Sequence, residues 1–315
     1  MVPLKIELPN GFLDEEVRCG YTVSKQMKEV WAVELDLLAE LLRVCRKHDI
    51  KIFASGGTML GAIRHKGMIP WDDDIDMMMF REDYDKLCRV AVDEFKHPYF
   101  FQTEYTDPGS LRFHAQLRNS LTTGMLTWEK EDPNSISTFN QGIFIDIFPL
   151  DNIVEDQTLL KEQLERVVNQ HETVEKIASV TTRYCPYAHS KINTIAKRIV
   201  HFVGAPIIRK LNLEERYFKK FESTCRKYND TETEYIGEIP FVADSERHIK
   251  LKSDYSNIKS MPFEFLHIPV GEGYDDALRR VYGDYMEYKI GNNIHGGVFF
   301  DAERPYTEYL KEYNR

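Results

Sequence analysis

The first 150 residues carry two hydrophobic periods, one typical of helices and one typical of strands. Ser24 is a good N-cap, and apolar residues recur at helical spacing from there to about His48, which predicts a helix that lies on a core. Two more helices are predicted at 58–64 and 81–95. Runs typical of strands lie at 51–55, 75–80, 99–105, 112–118 and 142–150. We expect Pro149 to end the last of these strands, because proline cannot donate to the ladder.

Beyond residue 151 the pattern becomes mostly helical. Helices are predicted at 155–180, 190–211 and 214–228. We therefore expect an α+β protein, in which a mixed β-sheet core is flanked by helices and followed by a helical C-terminal extension. The core and the N-terminal helix would occupy residues 1–151, and the extension residues 152–315.

Four aspartates crowd into five positions, in the sequence DDDID at 72–76. Within a strand Asp74 and Asp76 point to the same face, so their carboxylates converge. Like charges this close repel each other and raise each other's pKa unless a cation lies between them. Mg²⁺, or Mn²⁺ in its place, is the expected cofactor. Asp72 and Asp73 precede the strand and are expected to tune or hydrate the site.

A lone aspartate, Asp146, interrupts the apolar run IFIDIF. Burying an ionised carboxylate without a partner is expensive, so this residue needs a reason to be there. If its strand lies beside the one that carries Asp74 and Asp76, three carboxylates meet in the geometry of two-metal phosphoryl or nucleotidyl transfer. A solvated acidic turn, with Asp146 paired to an arginine, remains an alternative. An EF-hand is excluded, because the glycine and glutamate of its loop are missing.

A glycine pair precedes the acidic motif. Gly56 and Gly57 let a ligand approach the backbone, and the helix that follows offers unpaired amides suited to phosphate. Ser55 and Thr58 add hydroxyl groups. Positive charge that could hold a diphosphate or a leaving nucleotide comes from the triplet Arg64, His65 and Lys66. A simple chain reversal and an ordinary helix C-terminus are the alternatives for these two groups.

Charge and cysteine content narrow the class of protein. The net charge of −10 and the pI near 5.6 argue against a nucleic-acid partner. The five cysteines are scattered and never form a CxxC pair, which favours free thiols and a cytoplasmic location. No export signal and no apolar run of about eighteen residues occurs, so we expect no membrane-spanning helix.

Two features of the C-terminal half have open interpretations. The segment 189–211 combines apolar residues at helical spacing with five Lys and Arg residues, which fits a helix that covers the core or one that rests on an anionic membrane. His295, before a Gly-Gly pair, is a candidate for binding the acceptor or a phosphate, or a structural histidine.

Two stretches together resemble the LicD family, which includes bacterial phosphocholine transferases and is related to fukutin and fukutin-related protein. They are GGTMLGAIRHKGMIPWDDDIDMMMFREDYDKL and GIFIDIFPLD. The resemblance covers residues 25–151, and YGDYM at 282–286 resembles the C-terminal signature of the family. It implies a nucleotidyltransferase-like core of the polymerase β type. The residues that it assigns are Gly56 and Gly57 for the turn, Asp74 and Asp76 for the metal, and Asp146 as the third carboxylate.

The resemblance also implies an activity, which is transfer of phosphocholine, phosphoribitol or a similar phospho-alcohol from a CDP-activated donor to a sugar hydroxyl. The acceptor would be a cell-surface glycan or a lipid-linked precursor, and Asp146 could take the proton of the hydroxyl. Similar residues in the family make Arg118, Asn119 and Thr122 candidates for donor contact. A nucleotidyltransferase that adds an NMP, and a catalytically silent glycan- or nucleotide-binding protein, remain alternatives.

Overall fold

The computed structural model describes residues 1–127, 139–181, 191–290 and 297–313. The helices are α1 (Lys25–Lys47), α2 (Gly56–Arg64), α3 (Arg81–Glu94), α4 (Gln157–Thr181), α5 (Lys191–Lys210), α6 (Leu213–Cys225), α7 (Ile239–Val242), α8 (Tyr274–Tyr282) and α9 (Tyr306–Tyr313). The strands are β1 (Glu16–Arg18), β2 (Tyr21–Val23), β3 (Phe53–Ala54), β4 (Asp76–Phe80), β5 (Tyr99–Gln102), β6 (Ala115–Asn119), β7 (Thr123–Leu126), β8 (Ile143–Ile153), β9 (Tyr235–Gly237), β10 (Ile249–Leu251), β11 (Ile258–Phe263), β12 (Leu266–Gly271) and β13 (Val298–Asp301).

The central sheet has seven strands and is organised around the long strand β8. One edge of β8 pairs in parallel with β4, which in turn pairs with β3. The other edge pairs first with β6 and then with β9, both antiparallel, while β5 and β10 extend those two arms. The predicted mixed sheet flanked by helices is therefore confirmed. The nucleotidyltransferase-like topology stays a prediction.

Helix α1 covers one face of this sheet, as its apolar period predicts. It begins at the predicted cap, where the Ser24 hydroxyl accepts a hydrogen bond from the amide of Met27 at 3.2 Å. Its buried face shares one hydrophobic core with Met77 and Met79 of β4 and with Ile145 and Ile147 of β8. Because side chains alternate along a strand, the residues between these methionines and isoleucines point to the opposite face.

Two details correct the expectations from the sequence. Strand β8 does not end at Pro149 but runs to Ile153. This proline lies between the β6-paired residues 143–147 and the β9-paired residues 151–153, so its missing N–H breaks no bond on that edge. Gly56 and Gly57 form the first turn of α2 rather than a separate turn.

The C-terminal half is only partly helical. It adds strands β9 and β10 to the central sheet and contributes a separate hairpin of β11 and β12. Helices α4 and α6 pack together around a second hydrophobic core, which includes Val167, Val174 and Phe221. Within the described ranges, no helix has both the length and the apolar character needed to cross a bilayer.

Candidate active site

Asp76 and Asp146 lie side by side on neighbouring parallel strands. The register of β4 and β8 pairs these two residues directly, and the Asp146 amide donates to the carbonyl of Ile75 at 2.9 Å. Two residues further along, Met78 and Phe148 pack together in a cluster separate from the α1 core. Alternation therefore places both carboxylates on the sheet face opposite α1. The predicted adjacency of the two strands is confirmed.

A fixed pair of donors holds Asp146. His114 Nε2 lies 2.9 Å from Oδ1 of Asp146, and the side-chain amide of Gln116 donates to the same oxygen at 2.6 Å. Burial would raise the pKa of Asp146, but His114 and Gln116 outweigh it and hold the pKa below its ordinary value. Asp146 is therefore an ionised carboxylate, and its Oδ2 is the oxygen that neither donor engages.

The N-terminus of α2 approaches the acidic motif closely. A Cβ on Gly57 would lie only 2.6 Å from Oδ2 of Asp72, and one on Gly56, whose φ is +47°, would lie 3.3 Å from Oδ2 of Asp76. The Thr58 hydroxyl accepts the amide of Asp76 at 2.8 Å. Side chains larger than hydrogen would push the carboxylates away, so the glycines are needed for this close approach. Ser55 is buried at the cap position, where its amide donates to the carbonyl of Asp76.

The carboxylates of the motif repel one another. Oxygens of Asp72, Asp73 and Asp74 lie within 4.8 Å of one another. Burial, followed by the charge of Asp74, raises the pKa of Asp72 to about 8, and burial, followed by the charges of Asp74 and Asp146, raises the pKa of Asp76 well above its ordinary value. Several carboxylate oxygens gathered this closely are a donor set that suits a hard divalent ion such as Mg²⁺ or Mn²⁺.

The basic triplet faces the C-terminal segment. Arg64 donates to the carbonyls of Tyr285 and Glu287 at 2.9 and 3.2 Å. The His65 ring packs against Trp71 and a tyrosine of the same C-terminal segment, and burial lowers its pKa to about 4, so it is neutral at pH 7. Lys66 is exposed. Arg64 and His65 thus anchor the C-terminal segment, and a role of the triplet in holding a phosphate stays a prediction.

Three other candidates lie inside the protein. Arg118, Asn119 and Thr122 are each at most 1% exposed. Arg118 donates to the side-chain oxygen of Gln116, the residue that orients Asp146, and the Thr122 hydroxyl donates to the carbonyl of Asn119. Arg118 thus holds the side chain that orients Asp146, and direct contact of the three residues with a donor stays a prediction. His295 lies outside the described residues.

The structure shows an aromatic wall, formed by the rings of His114, Phe148 and Phe241, that the sequence does not reveal. The rings of His114, Phe148 and Phe241 form a chain beside Asp146, with centroid separations of 4.5 and 5.5 Å. Glu238 is buried next to this wall and is paired with the side chains of His248 and Lys250. Its charge is one of those that raise the pKa of Asp76. Glu238, Phe241, His248 and Lys250 lie within residues 238–250, about a hundred positions beyond Asp146. No motif marks them, and only the pairing of β9 with β8 brings them here.

Comparison with known proteins finds a matching family and similar sequences. Residues 49–175 match the profile described as LicD/FKTN/FKRP, nucleotidyltransferase domain. The chain is 26% identical over 269 residues, which are 83% of this chain and 91% of the relative, to the lipopolysaccharide cholinephosphotransferase LicD of Haemophilus influenzae. Shorter matches, 37% identical over 70 residues and 43% over 47 residues, are to uncharacterised proteins of Rickettsia prowazekii and Rickettsia typhi. They cover 22% and 15% of this chain, and 24% and 15% of those relatives. The chain therefore contains a LicD-family domain.

Proposed function

We propose that this protein transfers a phospho-alcohol from a CDP-activated donor to a sugar hydroxyl of a glycan or lipid-linked glycan. The observation that carries the proposal is the pair Asp76 and Asp146, side by side beneath the glycine-rich start of α2. The similarity to a cholinephosphotransferase that acts on lipopolysaccharide supports the same reaction class and favours phosphocholine as the transferred group.

Different groups of this chain would bind the donor diphosphate and accept the proton of the sugar hydroxyl. Divalent cations held by Asp74, Asp76 and Asp146 would neutralise the donor diphosphate and lower the pKa of the attacking hydroxyl. The free amides at the start of α2 suit the same diphosphate. His114 donates to Oδ1 of Asp146, so Oδ2 is the atom that faces the reaction and can accept the proton of the sugar hydroxyl. CMP would leave from the β-phosphorus.

The aromatic wall suits the organic part of a donor. Quaternary ammonium groups are bound by aromatic faces, and by carboxylates close to them. Phe148 and Phe241 pack edge to face at 5.5 Å beside the carboxylate of Asp146. This arrangement supports a choline-bearing donor over one that carries only hydroxyl groups.

The test measures which leaving group appears. Purified protein with Mg²⁺ is given CDP-choline, CDP-ribitol or CDP-glycerol together with a glycan acceptor, and CMP and pyrophosphate are followed in parallel, with CTP and ATP as donors in separate reactions. We expect CMP from CDP-choline, and about 10²- to 10⁴-fold less from an Asp146→Asn variant. Pyrophosphate from a nucleoside triphosphate would instead identify an NMP transferase. Binding of a donor without either product would identify a silent binding protein.

Helix α5 supports contact with a membrane near a lipid-linked acceptor, which we propose as part of the same function. Phe202 is 81% exposed and Ile199 62%, and the basic residues Arg209 and Lys210 end the helix. Apolar side chains beside basic ones are the features of an interfacial helix. We expect sedimentation with vesicles rich in anionic lipid, reduced by Phe202→Asp. A matched change at Val92, equally apolar and 66% exposed on α3, should have no effect. Equal binding by both variants would refute this contact.

A further inference from the structure

A cavity of about 340 Å³ lies between helix α3, the segment 103–114 and helix α6. Its volume is at the lower end of the range of about 300–1,000 Å³ that is typical of small-molecule sites. The aspartates at 72–76 and 146 do not line it. His114 borders both places, because it lines the cavity and its Nε2 lies 2.9 Å from Oδ1 of Asp146. The cavity therefore lies beside the candidate active site and is not part of it.

Aromatic rings form much of the lining of this cavity. They belong to Tyr84, Phe101, Tyr105, Phe113 and Phe218. The ring centroid of Phe218 lies 5.4 Å from that of Tyr105 and 6.0 Å from that of Phe113, so these three rings adjoin one another. Tyr105 is 44% exposed, which leaves this part of the lining open to solvent. Rings in this arrangement suit a ligand that has an apolar face of its own.

The charged groups of the lining balance one another. Three carboxylates and three guanidinium groups line the cavity, and they belong to Asp85, Glu104, Glu222, Arg89, Arg112 and Arg226. Several of them are held in place by their neighbours. Arg226 donates to both oxygens of Asp85 at 2.5 and 2.9 Å, and the Tyr105 hydroxyl donates to Glu222. A lining without an excess of either charge favours an uncharged ligand over a phosphate or a cation.

Tyr84 brings a hydroxyl group without a protein partner to the cavity. The residue is 6% exposed, and its hydroxyl makes no hydrogen bond with any described residue. The Arg81 guanidinium lies 5.2 Å from the centre of its ring. The buried Tyr99, by contrast, donates its hydroxyl to Asp36 at 2.6 Å. Because a buried polar group is normally hydrogen-bonded, the Tyr84 hydroxyl indicates a polar ligand in the cavity.

A sugar ring combines the properties that this lining requires. Each hydroxyl both donates and accepts, so neighbouring hydroxyls can bond a paired guanidinium and carboxylate, such as Arg226 and Asp85, as well as Tyr84. The C–H groups of the ring form an apolar face that packs on an aromatic side chain. A cavity of this volume has room for roughly one or two such rings. A nucleobase has a flat face but lacks the hydroxyl groups.

We propose that this cavity binds a neutral sugar unit of a glycan, with its apolar face on the rings of the lining and its hydroxyls on Tyr84, Asp85 and Arg226. Binding there needs neither a nucleotide-activated donor nor a divalent ion, because no group of the acidic motif takes part. The site therefore goes beyond the proposed transfer reaction. It gives the protein a hold on a glycan apart from the hydroxyl that would react.

The test is saturation-transfer NMR on the full chain in the presence of EDTA. The probes are maltose, lactose and the methyl glycosides of glucose, galactose and N-acetylglucosamine, and we expect transfer from the protein to at least one of them. Tyr84→Phe keeps the ring and removes only the hydroxyl, so the affinity for that sugar should fall by about 3- to 10-fold. Tyr255→Phe is the matched control, since Tyr255 is 2% exposed and lies outside the lining, and its affinity should equal that of the wild type.

A second variant tests the location without relying on one hydrogen bond. Cys88 lines the cavity from α3, and Cys88→Phe would fill part of the space with a ring, so sugar binding should be lost. The proposal is overturned if no sugar receives saturation, if cytidine does so in their place, or if binding requires a divalent ion. Unchanged affinity in Tyr84→Phe or in a folded Cys88→Phe overturns it equally. Should Cys88→Phe not fold, the comparison of Tyr84→Phe with Tyr255→Phe decides.

Discussion

A methyl group added at Gly57 is a sensitive probe of the site, because its effect on geometry can be read from the structure. The new Cβ would lie 2.6 Å from Oδ2 of Asp72, against an ordinary contact of about 3.4 Å, so that oxygen must move by about 0.8 Å. Gly57 lies in the first turn of α2 without a positive φ. Alanine is the better helix former, so the free energy of unfolding should stay unchanged or rise by up to about 1 kcal/mol.

The functional effect of Gly57→Ala should be large despite this stability. Displacing a group of a reactive site by about 1 Å can cost on the order of 100-fold in rate. We therefore expect CMP release to fall by about 10- to 100-fold and the Mn²⁺ affinity to weaken. Urea unfolding measures the stability, and titration with Mn²⁺ measures the affinity.

A double-mutant cycle tests whether Asp72 transmits the effect. In the background of Asp72→Ala the added methyl group has no carboxylate to displace, so Gly57→Ala should cause little further loss of Mn²⁺ affinity. If the second change lowers the affinity by the same factor with and without Asp72, the contact is not the cause, and the reasoning from the close approach of α2 fails.

Three further predictions concern single groups. Arg81→Met should lower the free energy of unfolding, measured in urea, by about 3–5 kcal/mol, because it leaves the carboxylate of Asp151, which is 1% exposed, without its arginine partner. Adding Asp151→Leu to this variant should restore much of the lost stability. Asp146→Asn should reduce CMP release by about 10²- to 10⁴-fold while circular dichroism stays unchanged, because Oδ1 still accepts both of its donors. Burial raises the pKa of Glu104 to about 7, so above pH 4.5 the folded protein binds more protons than the unfolded chain does. The melting temperature should therefore fall as the pH rises from about 4.5 to 7. Replacing the carboxyl group in Glu104→Gln should make that fall smaller.

Strong periodicity and local chemistry made part of the fold predictable. Helix α1 shows a cap and a long apolar period, and it begins where Ser24 predicts. The adjacency of Asp76 and Asp146 followed from a physical argument, since burying an ionised carboxylate in an apolar strand is costly unless a partner or ligand lies close to it. The start of α2 was harder to predict, because a Gly-Gly pair fits a turn and a helix N-terminus equally well.

Other features depend on contacts between distant parts of the chain. Strands β9 and β10 have three residues each, which are too few to show a hydrophobic period, so their place in the sheet could not be predicted from the sequence. Glu34 reads as one polar position on a helix, and only the packing of the described residues shows it to be buried without a hydrogen-bond partner among them. The burial of Arg118 depends on the packing of β6 between β5 and β8, which the sequence alone does not show.

The packing around the motif explains how so much negative charge is tolerated. Ile75, Met77, Met78 and Met79 are all 0% exposed, and burial of each such side chain stabilises the fold by about 1.5–3 kcal/mol. Together they contribute roughly 6–12 kcal/mol, which is enough to hold several repelling carboxylates in place without help from a cation. Under the proposed function the site would already be assembled when an ion arrives, and relief of the repulsion would contribute to affinity instead of to folding. In this respect the motif differs from a small metal-dependent domain, in which the ion must organise the chain before it can be used.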